Sequence, residues 1–212
     1  MTTKLQVYND ALRLCGESSL ASLTEAREPR YLLDEVYANG GIDFCLAQGF
    51  WQFAMISVQV DYDTDIEPAF GLQRAFTKPS DWVKTAAVCS DEHFKAPLLE
   101  YYDEVGYWYA DIDTIYVKYV SNGVDYGYNL ADWPQTFADY VSAHFASKIV
   151  VKLTGDEDKK ESVLKERKRL LLDAKNHDAS GNPQQFPAPG NWLRSRGRSA
   201  GRERGSTGSL TG

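Results

Sequence analysis

The sequence has little of what membrane proteins, disulfide scaffolds and many enzymes depend on. No stretch approaches the roughly 20 consecutive apolar residues that a membrane-crossing helix needs. Met1 to Lys4 lead into an amphipathic pattern rather than a signal sequence, so the expectation is a soluble chain made in a cytoplasm, with no membrane anchor. The three cysteines, Cys15, Cys45 and Cys89, are odd in number, widely spaced and free of any C-x-x-C pair. Neither a disulfide framework nor a zinc site is indicated, and all three read as small core residues. The G-x-S-x-G elbow, H-E-x-x-H, Walker A and G-x-G-x-x-G are all missing. Only three histidines occur: His93 in an acidic turn, His144 on the apolar face of a predicted helix and His177 near a helix end. Each reads as packing or capping. No catalytic, cofactor-binding or metal-binding residue is assigned, and the expectation is that the chain is not an enzyme.

Aromatic residues, by contrast, are plentiful, with 13 Tyr, 9 Phe and 5 Trp among 212 residues and 43% hydrophobic content. Such a chain can build a core and can also use Tyr and Trp at contact surfaces, where each buries large area yet keeps a polar handle. Its charge is unevenly spread. The net of −7 combines a basic segment, residues 191–212 with five Arg and one Glu, and a body of 18 basic and 29 acidic residues that carries −11.

Hydrophobic periodicity divides the chain. Helical spacing of Leu5, Tyr8, Leu12 and Cys15, with a Thr cap before it and Gly16 after it, predicts a first helix over residues 4–15. A second follows Thr24 and Pro29, with Leu33, Val36, Tyr37, Gly40, Phe44 and Ala47 on its apolar face and Gly49 at its end. Gly40-Gly41 weakens it by about 1 kcal/mol per glycine, which predicts a kink or a close helix contact there. Strand-like runs at residues 54–62, 71–77, 83–89 and 114–120 then predict an antiparallel β-domain inserted between helices. After Asp132-Trp133-Pro134, read as a cap followed by proline, the stripe Phe137, Tyr140, Val141, His144, Phe145 and Ile149 predicts a helix that Gly155 stops. A last helix over residues 156–178 has acids first and bases later, and a narrow stripe of Leu164, Leu171 and Ala174. The expected fold class is α+β: an antiparallel helical bundle built from both ends of the chain, an inserted antiparallel β-domain and an extended C-terminal tail. The boundaries are 1–49 for the N-terminal helices, 50–131 for the β-domain, 132–178 for the C-terminal helices and 179–212 for a flexible docking tail.

Two segments stand out chemically. Asp61, Asp63, Asp65 and Glu67 alternate like the start of a calcium loop, but Ile66 stands at the sixth position where an EF-hand needs Gly, and Leu72 at the twelfth where it needs Glu. In an extended strand the four acids would form one solvated face; an improvised cation site or a glycosidase-like carboxylate pair are the other readings. The tail holds Phe186, Trp192, Leu193, Arg194, Arg196, Arg198, Arg202 and Arg204 among Gly, Ser and Pro. Such composition suits a segment that docks on an acidic protein partner, or one that contacts nucleic-acid phosphates, although the acidic body would repel the latter.

The run L-Q-V-Y-N-D-A-L-R-L-C-G at residues 5–16, the link Leu20-Ala21-Ser22-Leu23-Thr24-Glu25 and the segment Arg27-Glu28-Pro29-Arg30-Tyr31-Leu32-Leu33-Asp34 together resemble the opening of the tail tubular protein A family of short-tailed bacteriophages. Gln48-Gly49-Phe50-Trp51-Gln52-Phe53-Ala54 extends the match, as do the Pro79-Ser80-Asp81-Trp82 turn, the Pro134, Phe137 and Tyr140 helix start and Leu171-Leu172-Asp173-Ala174-Lys175. The order and spacing of these pieces carry the resemblance, over most of residues 4–178. It implies a structural protein of the virion neck: a head-to-tail connector forming a twelve-subunit ring between the portal protein and a tail nozzle resembling tail tubular protein B, with tail fibres as further neighbours. Genomic DNA would pass through the ring without specific binding. A virion-associated polysaccharide-degrading enzyme using the acids of residues 61–67, and a nucleic-acid-binding module, are the alternatives.

Overall fold

Local signals set where each helix starts and stops. The structure, a computed structural model, describes residues 1–68 and 70–181. Helix α1 (Lys4–Cys15) begins where the Thr3 hydroxyl accepts from the Gln6 N–H at 3.2 Å. It ends where Gly16, at φ 73°, turns the chain so that the Glu17 N–H reaches the Leu12 carbonyl at 2.9 Å. The predicted second helix is two helices, α2 (Glu28–Ala38) and α3 (Gly41–Ala47). Gly40 takes φ 76°, a left-handed conformation that strains a residue bearing a Cβ, so the kink expected at Gly40-Gly41 is a full break. The expected close contact is there too. A Cβ on Gly41 would sit 2.7 Å from the Val36 carbonyl oxygen and 2.9 Å from Cε1 of Phe145.

Among the described residues six strands follow: β1 (Met55–Asp61), β2 (Arg74–Thr77), β3 (Trp82–Cys89), β4 (Tyr102–Asp103), β5 (Tyr107–Ala110) and β6 (Thr114–Ser121). They form two antiparallel sheets of three strands, in the orders β1-β6-β3 and β2-β5-β4. Alternation along β6 sends Ile115, Val117 and Tyr119 inward, where they meet Phe76, Trp108 and Ala110 of the second sheet in a core of their own. Thr85 Oγ1 accepts from the indole N–H of both Trp82 (3.0 Å) and Trp108 (2.9 Å). The Lys78 ammonium lies 3.7 Å from the Trp82 ring centroid, pairs with Asp103 and donates to the Glu104 carbonyl at 2.6 Å. That clip ties the β4–β5 turn to the start of β3.

Helix α4 (Gln135–Thr154) buries the whole expected stripe, Phe137, Tyr140, Val141, His144, Phe145 and Ile149, and stops at Gly155 with φ 66°. Asp132 does not cap it: Pro134 holds the cap position, and Asp132 closes a short 3-10 turn where Asn129 Nδ2 donates to its carboxylate at 2.9 Å. In α5 (Glu157–Ser180) the buried line runs through Val163 and Ala174, with Leu164 and Leu171 only half-buried. Ala174 and Leu171 thus face the core as expected, and only at the first position does Val163 take the place of Leu164.

The fold is mixed α+β, with five helices and two small antiparallel sheets among the described residues. Tyr8, Leu12, Leu33, Ile42 and Leu46 of α1–α3 share one core with Phe137, Tyr140, Phe145 and Val150 of α4 and Val163 and Ala174 of α5. Trp51, Ala54 and Val120 join it, so the helices and the first sheet are packed together within the unit Met1–Ala179. Cys15, Cys45 and Cys89 are unpaired thiols buried as small core residues.

Candidate functional site: a helical groove and the outer end of the β-domain

The break at Gly40 lets α3 turn across α4 and leaves an open groove of about 480 Å³ between α2, α3 and α4. Val36, Phe44 and Ile149 form its apolar floor, and Glu35 stands on the α2 wall. His144, Lys148 and Lys152 follow one another at i, i+4 and i+8 along the α4 wall, one turn apart on one face. Phe44 is 45% exposed, yet its ring stacks on His144 at 4.5 Å between centroids and 14° between planes. Behind the stack, the Arg167 guanidinium approaches His144 Nδ1 and Ser147 Oγ, each at 3.4 Å. Burial, reinforced by the positive charges of Arg167 and Lys148, pushes His144 down to about 4, so its imidazole is neutral at pH 7. Deeper still, Cys45 bonds to Tyr140, and burial raises its thiol to about 12, far from the thiolate that a nucleophile requires.

Sequence reasoning expected Asp61, Asp63, Asp65 and Glu67 along one face of an extended strand. The strand ends at Asp61, and the chain turns at Thr64-Asp65. Asp63 makes the turn: its carboxylate accepts the Asp65 N–H at 3.0 Å and the Thr77 hydroxyl at 2.9 Å, which competes with continued pairing. Asp61 accepts from the Thr114 hydroxyl at 2.7 Å, while Asp65 and Glu67 are exposed. Asp61 thus closes β1 opposite Thr114 at the outer end of the β-domain and the other three acids follow beyond the pairing, without forming one face. Nearby, Asp111 holds the Gln73 N–H at 2.7 Å and Asp113 pairs with Arg74 at 2.9 Å. Residues 50–131 hold 13 carboxylates against five Lys and Arg, so most of the negative charge of the body lies in the β-domain. Large apolar side chains stand out in that same region, Phe70 at 93% and Leu99 at 90% exposure.

The described carboxyls that burial raises lie elsewhere, at Asp10 and Asp178. Asp10 shares a surface depression with Asp139 and Glu166, but is ion-paired to Arg13, while Asp139 accepts from Gln135 and Glu166 from Arg169. Among the described residues no group of three or more His, Cys, Asp or Glu is placed to hold a metal ion. Phe186, Trp192, Leu193, Arg194, Arg196, Arg198, Arg202 and Arg204 lie outside the described residues.

The groove was missed because its walls come from residues 35–44 and 144–152, which no local pattern joins. The spacing of His144, Lys148 and Lys152 was its one visible trace. No protein-family model matches the sequence, and no curated protein is significantly similar to it.

Proposed function

We propose that this chain is a structural subunit of a bacteriophage neck, an adaptor that assembles as a ring between the portal protein and the tail nozzle and conducts genomic DNA. The observation that carries this reading is where large apolar side chains meet solvent. Tyr31, Phe44 and Phe50 are 45–54% exposed on the helical part, and Phe70, Leu99 and Val105 are 90–98% exposed on β-domain loops. Exposed apolar groups at several separated places suit a subunit with several neighbours. The ordered family-like segments of residues 4–178 support the same assignment, with the helices as an antiparallel bundle and the β-domain set out to meet adjacent subunits. The Arg-rich tail, with Phe186, Trp192 and Leu193 as anchors, attaches to an acidic surface of the portal, since arginine pairs with carboxylates in planar, bidentate fashion. A body of −11 lines the channel with more carboxylates than Lys or Arg, so DNA is repelled from the wall rather than held. No catalytic residue is assigned, and tail fibres are further neighbours.

Co-sedimentation with the portal protein of the same virion tests the proposal. A complex with several copies per portal at physiological salt is expected. Absence of any complex overturns it.

A further inference from the structure

The groove on the helical body and the outer end of the β-domain are chemically matched. In a chain of net −7, Lys148 and Lys152 outnumber the one carboxylate of the groove lining, Glu35, above an apolar floor, and neither lysine is ion-paired with a described residue. At the outer end the pattern is inverted. Phe70 is almost fully exposed, with Glu67 three residues before it and, in the adjoining β5–β6 turn, Asp111 and the Arg74-paired Asp113. One surface offers an apolar slot with cations on its wall, the other an apolar side chain with anions around it. They cannot meet within one chain. The seven residue pairs from Met55–Val120 to Asp61–Thr114 put roughly 20 Å of strand between the helical body and the outer end, at about 3.3 Å per residue.

We infer that the outer end of the β-domain of one copy seats in the α2–α3–α4 groove of the next, with Phe70 against Phe44 and Ile149 and Glu67 toward Lys148 and Lys152. The occupant is a second copy of this chain, chosen by charge complementarity and by the exposure of Phe70. Because the two surfaces differ, the contact is head-to-tail. Repeated, it closes into a ring when the rotation between copies allows and otherwise runs on as a filament. The inference rests on the ring reading of the proposed function and names the surface that builds the ring. Its charged pairs lie at the edge of a groove that the seated loop partly dries, so added salt weakens the contact without abolishing it.

Sedimentation of the full chain over a concentration series tests it, with Phe70→Ser and the double variant Lys148→Glu/Lys152→Glu beside the wild type. Phe70 and both lysines are exposed, so the variants keep their fold, which circular dichroism checks. The wild type is expected to self-associate, and each variant to do so at least tenfold more weakly. Adding Glu67→Lys to the lysine double variant is expected to recover part of the loss. If the wild type assembles and the variants assemble as tightly, the contact is wrong while the ring reading stands. A wild type that stays monomeric throughout the series also overturns the contact, and co-sedimentation with the portal then decides the ring reading separately.

Discussion

Gly41→Ala probes the joint on which the helical part turns. The helix gains up to about 1 kcal/mol from replacing glycine by alanine. Against that, the new methyl would lie 2.7 Å from the Val36 carbonyl oxygen, 2.9 Å from Phe145 Cε1 and 3.0 Å from Val36 Cγ1. Two of those neighbours are side chains that can yield a little, but the carbonyl is main chain of α2 and yields only if α2 or α3 moves. Overpacking of this kind costs about 1–3 kcal/mol. The expected net effect is a loss of about 1–2 kcal/mol, read as a lower urea midpoint at unchanged slope. Gly155→Ala isolates the other contribution, since Gly155 has φ 66°, unlike Gly41, and nothing lies within 4 Å of the added atom. Its cost should be about 1 kcal/mol, from backbone strain alone. Combining Gly41→Ala with Phe145→Ala removes one clash and leaves the carbonyl one, so a favourable coupling of about 1 kcal/mol is expected. A Gly41→Ala protein as stable as the wild type would refute the idea that this glycine is required by the α2–α3–α4 contact.

Phe145 is fully buried between Tyr8, Tyr37 and His144, so Phe145→Ala should cost about 3–5 kcal/mol in chemical unfolding; a change under about 0.5 kcal/mol would show that the helices do not share this core. His144 protonates near 4 in the folded chain and near 6.5 when unfolded, so the unfolded state takes up more protons between those values and stability falls as pH drops from about 6.5 to about 4. The full loss is about 3 kcal/mol, and His144→Gln should flatten this slope in urea titrations at several pH values; an unchanged slope would mean another group controls it. Deleting residues 191–212 should leave the melting temperature nearly unchanged while weakening attachment to the portal, and a truncated chain that docks as tightly as the full one would remove the tail from the interface.

Legibility in the sequence followed how local each determinant is. Thr3 and Gly16 bound α1 within a few residues, and the α4 stripe from Phe137 to Ile149 repeats over four turns, so both helices could be read directly. Gly40-Gly41 was legible as a weak point, but whether it kinks or breaks depends on the close approach of Val36 and Phe145, one of them over a hundred residues away. Strands β4 and β5 escaped because Tyr102–Asp103 is too short for alternation to show and Tyr107–Ala110 is aromatic on both faces. The acidic run misled because alternate spacing fits a strand only while the backbone stays paired, and Asp63 instead bonds its own neighbour two residues on. In α5, Val163 and Leu164 are equally apolar, and only packing against the other helices selects the first. Charge was legible as a sum but not as a location: the grouping of carboxylates at the outer end of the β-domain, and of two lysines beside the groove, is a property of the folded chain.

The most direct test is an electron-microscope image of the purified full-length protein mixed with its portal protein. Class averages should show a closed ring, twelve subunits around, capping one face of the portal with an open central channel. Portals that remain bare, with the protein present at several times their concentration and at physiological salt, would contradict the assignment of this chain as a neck adaptor.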